Sequence, residues 1–461
     1  AQLGHWEMIG SMTAPLTGPL QRLQTFRKNL LGAFPLRRDA LFELIDALLL
    51  AHDPRSPQEL ALSPAFRRRW GMVHDALCHG QIAPAQAREF LAEVEPPDAL
   101  TLGGCAVYAM DSTIAGRPEA DTLADRGHVY STCAEKAVVG HQYSWLGRIV
   151  SRAPAWFAPR DVERIPTAST PAASAARQVT RFVATVALAT VLSAIVADSG
   201  YAKVAFLSAF VGLTNVCVLV RLASNRVLSG APAPEERHPT TGKRMKRGRP
   251  PVHGPKFALK NPPLPEQQIQ VTLLGTTAKL SAWTHLHFKG LPQLEGLVVR
   301  VEFLKADGTP KYRRPLWLFW SGPSTVALEV IAQMYLARYG IEHFFRFAKQ
   351  RLGLLCAQTP TLAASETWVW LVALAYSQLL LARSLVIPAW RPWDAKPRLQ
   401  TKPVLTAGQV LNAWATFSRV LGTPAAAPRA SGKGTGRQVG DRPTPRPRCP
   451  VISKKAPVAT A

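Results

Sequence analysis

Acidic residues are scarce in this sequence: 30 Asp and Glu stand against 55 Lys and Arg in 461 residues, a formal net charge of +25. That balance is far from that of a typical cytosolic enzyme and predicts a polyanionic partner, most simply nucleic acid, with a membrane surface as the lesser rival. Cysteine is also sparse. The six cysteines (Cys78, Cys105, Cys133, Cys217, Cys356, Cys449) include no C-x2-C pair, and the histidines do not cluster. Zinc fingers and a disulfide framework are therefore not expected, and a reducing cytoplasm suits the chain. No basic segment followed by an apolar core opens the sequence, so no signal peptide is expected. Long apolar runs are missing too. Residues 183–197 stop directly on Asp198, short of the roughly 20 needed to cross a bilayer. Residues 368–387 contain Ser377, Gln378 and Arg383. Both read as buried elements of an α/β core, and no membrane span is expected. No internal repeat is found.

What is present is mostly globular, with 47% hydrophobic residues and enough length for two or three domains. In residues 1–100 an amphipathic helix is predicted over 37–51, with Leu41, Leu44, Ile45, Leu48 and Leu49 on one side. Ser63-Pro64 reads as the start of a second helix carrying Arg67, Arg68, Arg69 and Trp70, and Pro84 as the start of a third. Pro96-Pro97 then breaks the chain. Two readings stand for this region: a DNA-end-binding module with a basic helix beside a tryptophan, or a helical cap with solvated arginines.

Two aspartates follow apolar strands. Residues 106–110 (AVYAM) lead into Asp111, and residues 192–197 (LSAIVA) lead into Asp198. Between them come strands around 141–145 and 149–150 and a helix over about 173–188. A helix over 205–213 and a strand over 216–220, closing on Arg221, come after. Strand, helix, strand, helix, strand is an α/β order. A strand-terminal Asp is commonly a turn former; two at equivalent ends, joined by a third acid, read as a site. Asp121, Asp125 and Glu135 fit no such pattern and read as surface residues.

The third acid lies in residues 335–349, YLARYGIEHFFRFAK. On one helix, Tyr335, Arg338, Glu342, Arg346 and Lys349 recur at intervals of three and four and line a single face. A solvated face with i,i+4 pairs is the bland reading. The spacing Y-x2-R-x3-E-x6-K resembles the Tyr-Arg-Glu-Lys signature of bacterial insertion-sequence DDE transposases, and Asp198-Ser199-Gly200-Tyr201 resembles their second-aspartate motif. The resemblance implies a ribonuclease-H-like core whose catalytic and metal-binding acids are Asp111, Asp198 and Glu342. It further implies DNA contacts by Tyr335, Arg338, Arg346 and Lys349. Three clustered carboxylates repel one another unless cations bind, and oxygen-only ligands favour two Mg²⁺, with Mn²⁺ able to substitute.

The separation of Asp198 from Glu342 is several times what one helix and one strand need. It begins with a basic, proline-rich stretch holding Lys243, Arg244, Lys246, Arg247 and Arg249, expected to track a phosphate backbone. Strands predicted around 269–272, 297–303 and 315–320, with a turn at Asp307-Gly308, resemble the β-rich insertion of cut-and-paste transposases. Trp283 and His287 are candidates there for a flipped base, with core packing the alternative for Trp283. The predicted helix over 368–387 is expected to pack against the Glu342 helix under the sheet. Beyond about Gly422 the composition predicts a disordered basic tail. The expected plan is therefore an α/β chain with five parts. They are a helical end-binding domain (1–100), a first core part (101–225), the basic loop and β-rich insertion (226–322), a second core part with the Glu helix (323–395) and the tail (396–461). The function implied is Mg²⁺-dependent cleavage of double-stranded DNA at element ends and strand transfer into a target, by a dimer on DNA in the bacterial cytoplasm at the nucleoid. The alternative is a recruited or inactive DNA-binding protein of the same descent; a non-transposing nuclease on the same fold is a third.

Overall fold

The computed structural model describes residues 18–51, 53–131, 135–186, 191–233, 251–387, 405–430, 440, 442 and 444–453. Four helices come first: α1 (Pro19–Leu30), α2 (Arg38–Leu50), α3 (Gly71–His79) and α4 (Pro84–Val94). Then follow β1 (Thr101–Leu102), β2 (Cys105–Gly116), β3 (Gly127–Ser131), β4 (Lys136–Arg152), β5 (Ala155–Ile165), α5 (Pro171–Thr185), β6 (Leu192–Ala197), α6 (Val204–Leu207) and β7 (Val216–Leu222). The next strands are β8 (Val227–Gly230), β9 (Lys256–Ala258), β10 (Gln267–Leu273), β11 (Thr276–Phe288), β12 (Leu291–Phe303) and β13 (Leu316–Ser321). Helices α7 (Leu328–Ala337), α8 (Tyr339–Arg351), α9 (Leu362–Ala382) and α10 (Ala407–Leu421) complete the described elements. No helix among the described residues is long and apolar enough to cross a membrane.

The chain divides into two units. One comprises residues 1–96, 120–124 and 346–448; the other comprises 97–119, 125–345 and 449–461. The first is helical. Its centre is α9, 21 residues long and apolar nearly all round, as a helix surrounded by others must be. It packs on α1, α2, α3, α4 and α10, and its Tyr376 ring lies 5.7 Å from that of Phe347 on α8, the helix of Glu342. Arg27 is buried here and donates to both Asp46 oxygens at 2.7 and 3.0 Å and to the Gly422 carbonyl at 2.9 Å. Ser63-Pro64 opens no helix. Arg67 and Arg68 instead reach the buried carboxylate of Glu43 on α2 and the carbonyls of Ala425 and Ala426. The arginines thus tie down the start of the tail, and Ala425 is buried. The 422–426 segment is ordered because its backbone carbonyls have partners, which composition does not reveal.

The second unit is built on one mixed sheet of 13 strands, whose main path is β3-β4-β2-β6-β7-β13-β12-β11-β8-β9. Strands β2, β6 and β7 are parallel; β4 runs antiparallel to β2, and β13 antiparallel to β7. The strands between Asp198 and Glu342 therefore extend the sheet directly at β7. Side chains alternate across it. Tyr108, Met110, Ile195, Ala197, Val218 and Val220 share one core with Val179 and Phe182 of α5, and with Trp283, Val298 and Phe319 further along. The opposite face carries α7, which packs on β6 and β7. Residues 205–213 form the short α6 and a 3-10 turn over Ser208–Phe210 in place of one helix. The tail also meets this unit: the Ile452 amide donates to the Arg126 carbonyl at 2.7 Å, and the buried Arg126 side chain donates to the Cys449 carbonyl.

Close approach of β4 and β5 needs glycine at one point. A Cβ on Gly147 would lie 2.3 Å from the Phe157 ring and 2.4 Å from the Ala158 carbonyl oxygen. Gly147→Ala is expected to cost about 1–3 kcal/mol through overpacking, read from the urea midpoint. An unchanged midpoint would mean that the two strands do not approach this closely.

Candidate active site

Sheet register assembles the site. Met110 pairs with Ala197 and Ala197 with Val220, so the next residues on the three parallel strands are Asp111, Asp198 and Arg221. Asp198 stands at a strand end, as the sequence predicts. It caps a 3-10 turn over Ser199–Tyr201, its side chain accepting the Gly200 amide at 2.8 Å. Asp111 does not end its strand. β2 runs on to Gly116 because residues 112–116 keep pairing with β4. The carboxylate thus leaves from mid-strand, onto the face opposite Met110.

The helix that brings Glu342 is not the single rod that its periodicity suggests. It is broken at Arg338 into α7 and α8, with the Arg338 amide donating to Tyr335 O and the Ile341 amide to Arg338 O, both three residues apart. Such i→i+3 bonds tighten the turn. Aromatic packing sets where α8 lies. Trp145, the cross-strand partner of Asp111, is fully buried, and its ring centroid lies 5.0 Å from that of Phe344 on α8. Phe157 of β5 also lies 5.0 Å from Phe344. Gly340 permits a near approach, since a Cβ there would sit 3.1 Å from Ile149 Cδ1.

Arg338 joins the acids. One Nη donates to Asp111 Oδ2 at 2.9 Å and the other to Glu342 Oε1 at 2.6 Å. The residue is only 9% exposed, and its guanidinium lies over the Tyr335 ring at 5.7 Å. Burial pushes the Asp111 carboxyl up to about 6; the facing Asp198 adds to the rise, while Arg338 and the Ser112 amide oppose it. Burial likewise raises the Tyr335 phenol, against the pull of Arg338 and Arg221. It raises the Tyr201 phenol as well, helped by Asp111 and Asp198. Burial works against the charge on Arg338, yet Asp111, Tyr335 and Glu342 raise its pKa further. A protonated Tyr335 phenol can donate a hydrogen bond to an oxyanion, whereas Tyr201 is buried in the core.

A divalent cation can be tested against these residues. The donors are hard carboxylate oxygens, as Mg²⁺ and Mn²⁺ prefer, and the repulsion between Asp111 and Asp198 is of the kind a cation relieves. Among the described residues no three His, Cys, Asp or Glu side chains converge closely enough to enclose an ion. Arg338 draws Asp111 and Glu342 onto its own guanidinium instead. The residues fit a cation in kind and in charge, with Arg338 standing where positive charge is needed.

The remaining predicted residues fall elsewhere. Arg346 is exposed and Lys349 half-buried, one and two turns beyond Glu342 on α8. Lys243, Arg244, Lys246, Arg247 and Arg249 lie outside the described residues. Trp283 is buried and donates to the Pro263 and Leu264 carbonyls; His287 is buried against His253, ring nitrogens 2.9 Å apart. Neither is presented to a base. Asp125 is no bare surface acid, since it accepts from Arg164 and Thr167. Arg221 completes the row on β7, and its one signal in the sequence is a cation at the close of an apolar strand.

Arg338→Ala would leave the Asp111 carboxylate buried beside Asp198 without its counter-charge, at an expected cost of about 3 kcal/mol. Asp111 is already raised, so its contribution to stability is lost as pH rises through about 6. The deficit should therefore be larger at pH 8 than at pH 5, and Asp111→Asn should restore much of it. Melting curves at both pH values check this; an equal deficit at both would remove Asp111 as the cause.

A family model described as DDE superfamily endonuclease matches residues 29–288. That span takes in Asp111 and Asp198 and ends before Glu342. No curated protein matches the chain. With more than half of its length matched and two acids on register-matched parallel strands, the chain belongs to the DDE superfamily of endonucleases.

Proposed function

We propose that the protein is an insertion-sequence transposase that cuts DNA at element ends and joins them to a target, with Asp111, Asp198 and Glu342 as its catalytic acids. The observation that carries this reading is where the acids are held: Asp111 and Asp198 on neighbouring parallel strands, and Glu342 tied to Asp111 through Arg338. The mixed sheet supports a ribonuclease-H-like core. Antiparallel β5-β4-β2 leads into parallel β2-β6-β7, with helices on both faces. The Tyr-Arg-Glu-Lys spacing supports the insertion-sequence type, and the net charge of +25 suits a long DNA path.

In this reading Asp111, Asp198 and Glu342 would hold Mg²⁺. When bound, the metal lowers the pKa of an attacking hydroxyl and stabilises the leaving oxygen. Hydrolysis adds water across one phosphodiester and leaves a 3′-hydroxyl. Strand transfer exchanges a target phosphodiester for a new one, that hydroxyl attacking and a target 3′-oxygen leaving. The chain's own groups orient the backbone. Arg338 and Lys349 neutralise phosphate charge, with Arg346 and the 243–249 stretch further along the DNA. Protonated Tyr335 donates to a phosphate oxygen. Bringing two ends together calls for a dimer on DNA.

The engagement of Arg338 with two acids favours a second reading, a DNA-binding protein of this descent without catalysis. Cleavage of a duplex carrying the sequences that flank this element separates the two. Cuts at the ends that need Mg²⁺, stop with EDTA and vanish in Glu342→Gln are expected. Asp111→Ala and Asp198→Ala should slow cutting by at least about 100-fold while binding persists. Tight binding with no cutting under any metal supports the second reading, and near-normal cutting by a variant removes that residue from the catalytic set.

A further inference from the structure

The geometry points to Arg221 as the residue that grips the DNA phosphate beside the one being cut. This rests on the reading above and adds a contact that neither the family match nor the Tyr-Arg-Glu-Lys spacing assigns. β7 reads Val-Cys-Val-Leu-Val-Arg-Leu, and every residue of it is buried except Arg221. An exposed cation on a central strand, with β6 on one side and β13 on the other, has been placed at a rim. The parallel register puts it next to Asp198, with Asp111 one strand further. Strands lie about 4.8 Å apart, so Asp111, Asp198 and Arg221 form a row of two acids and one cation about 10 Å long. The carboxyl ends of parallel strands are where α/β sheets receive ligands.

The face is the right one. Val220 belongs to the core beneath the sheet, so Arg221 emerges on the opposite side, where α7 packs and where Tyr335 lies near its guanidinium. Chemistry divides the two arginines. Arg338 has both Nη atoms on carboxylates and serves the acids. Arg221 stands at the outer end of the row, where an approaching phosphodiester would otherwise meet only like charge from Asp198. A guanidinium presents a planar fork that matches two phosphate oxygens, which an ammonium does not.

The test is a phosphate scan. Methylphosphonates, which remove one charge each, are placed singly around the cut site of the flanking-end duplex. Binding is measured in EDTA and cutting in Mg²⁺ for wild type, R221Q and R221K. All three should melt together, since Arg221 is exposed. R221Q is expected to bind about 10-fold more weakly. Wild type should lose about as much at one neutralised phosphate flanking the cut, and R221Q should lose nothing more there. R221K should recover part of the affinity. Equal losses for wild type and R221Q at every phosphate would overturn the assignment. Failure of wild type to cut any end would defeat the proposed function instead, and the binding scan would still decide on Arg221.

Discussion

The candidate site depends on one guanidinium. Arg338 reaches Asp111 on a central strand and Glu342 on the following helix with separate nitrogens. A flat, five-donor group can hold two carboxylates at a fixed separation; a single ammonium cannot do so with the same geometry. The tight turn between α7 and α8 exists at the residue that makes this span. Trp145 and Phe157 pack the far side of α8, so the ion pairs and the aromatic cluster fix the same helix from two directions. Buried charge of this kind is weak as a source of stability and strong as a source of position.

Much of the sheet was legible because its strands are continuous apolar runs. β6 and β7 lie where the runs lie, and Asp198 ends β6 as a short run bounded by Asp-Ser-Gly should. Asp111 was legible as an acid but not as a mid-strand residue. Four of the five residues from Ser112 to Gly116 are polar or small, and pairing with β4 keeps the segment extended. The interval pattern from Tyr335 to Lys349 does not reveal the break at Arg338, since i,i+3 neighbours occur in both α and 3-10 turns. Arg67 and Arg68 look solvated in the sequence because Glu43, their partner, lies 24 residues upstream of Arg67 on a separate amphipathic helix. The start of the tail is held through backbone carbonyls, which no composition reports.

The site was half legible for the same reason. Residue types and spacing single out three acids as candidates, yet only register puts Arg221 in a row with Asp111 and Asp198. Spacing also gives no sign that Arg338 is committed to the acids. Long-range charge pairing is a property of the folded sheet and not of any window of sequence.

The unbroken ladder from β7 through β13, β12 and β11 has a further consequence. β13 runs opposite to β7 and hands the chain to α7, so its polarity decides at which rim of the sheet Glu342 arrives. The β11–β12 hairpin reverses direction twice, once in each strand, and leaves that polarity unchanged. Relatives of this chain could grow or shed such a segment as a whole hairpin while keeping short turns. The long interval between Asp198 and Glu342 is thus free in length as long as β13 keeps its antiparallel place beside β7.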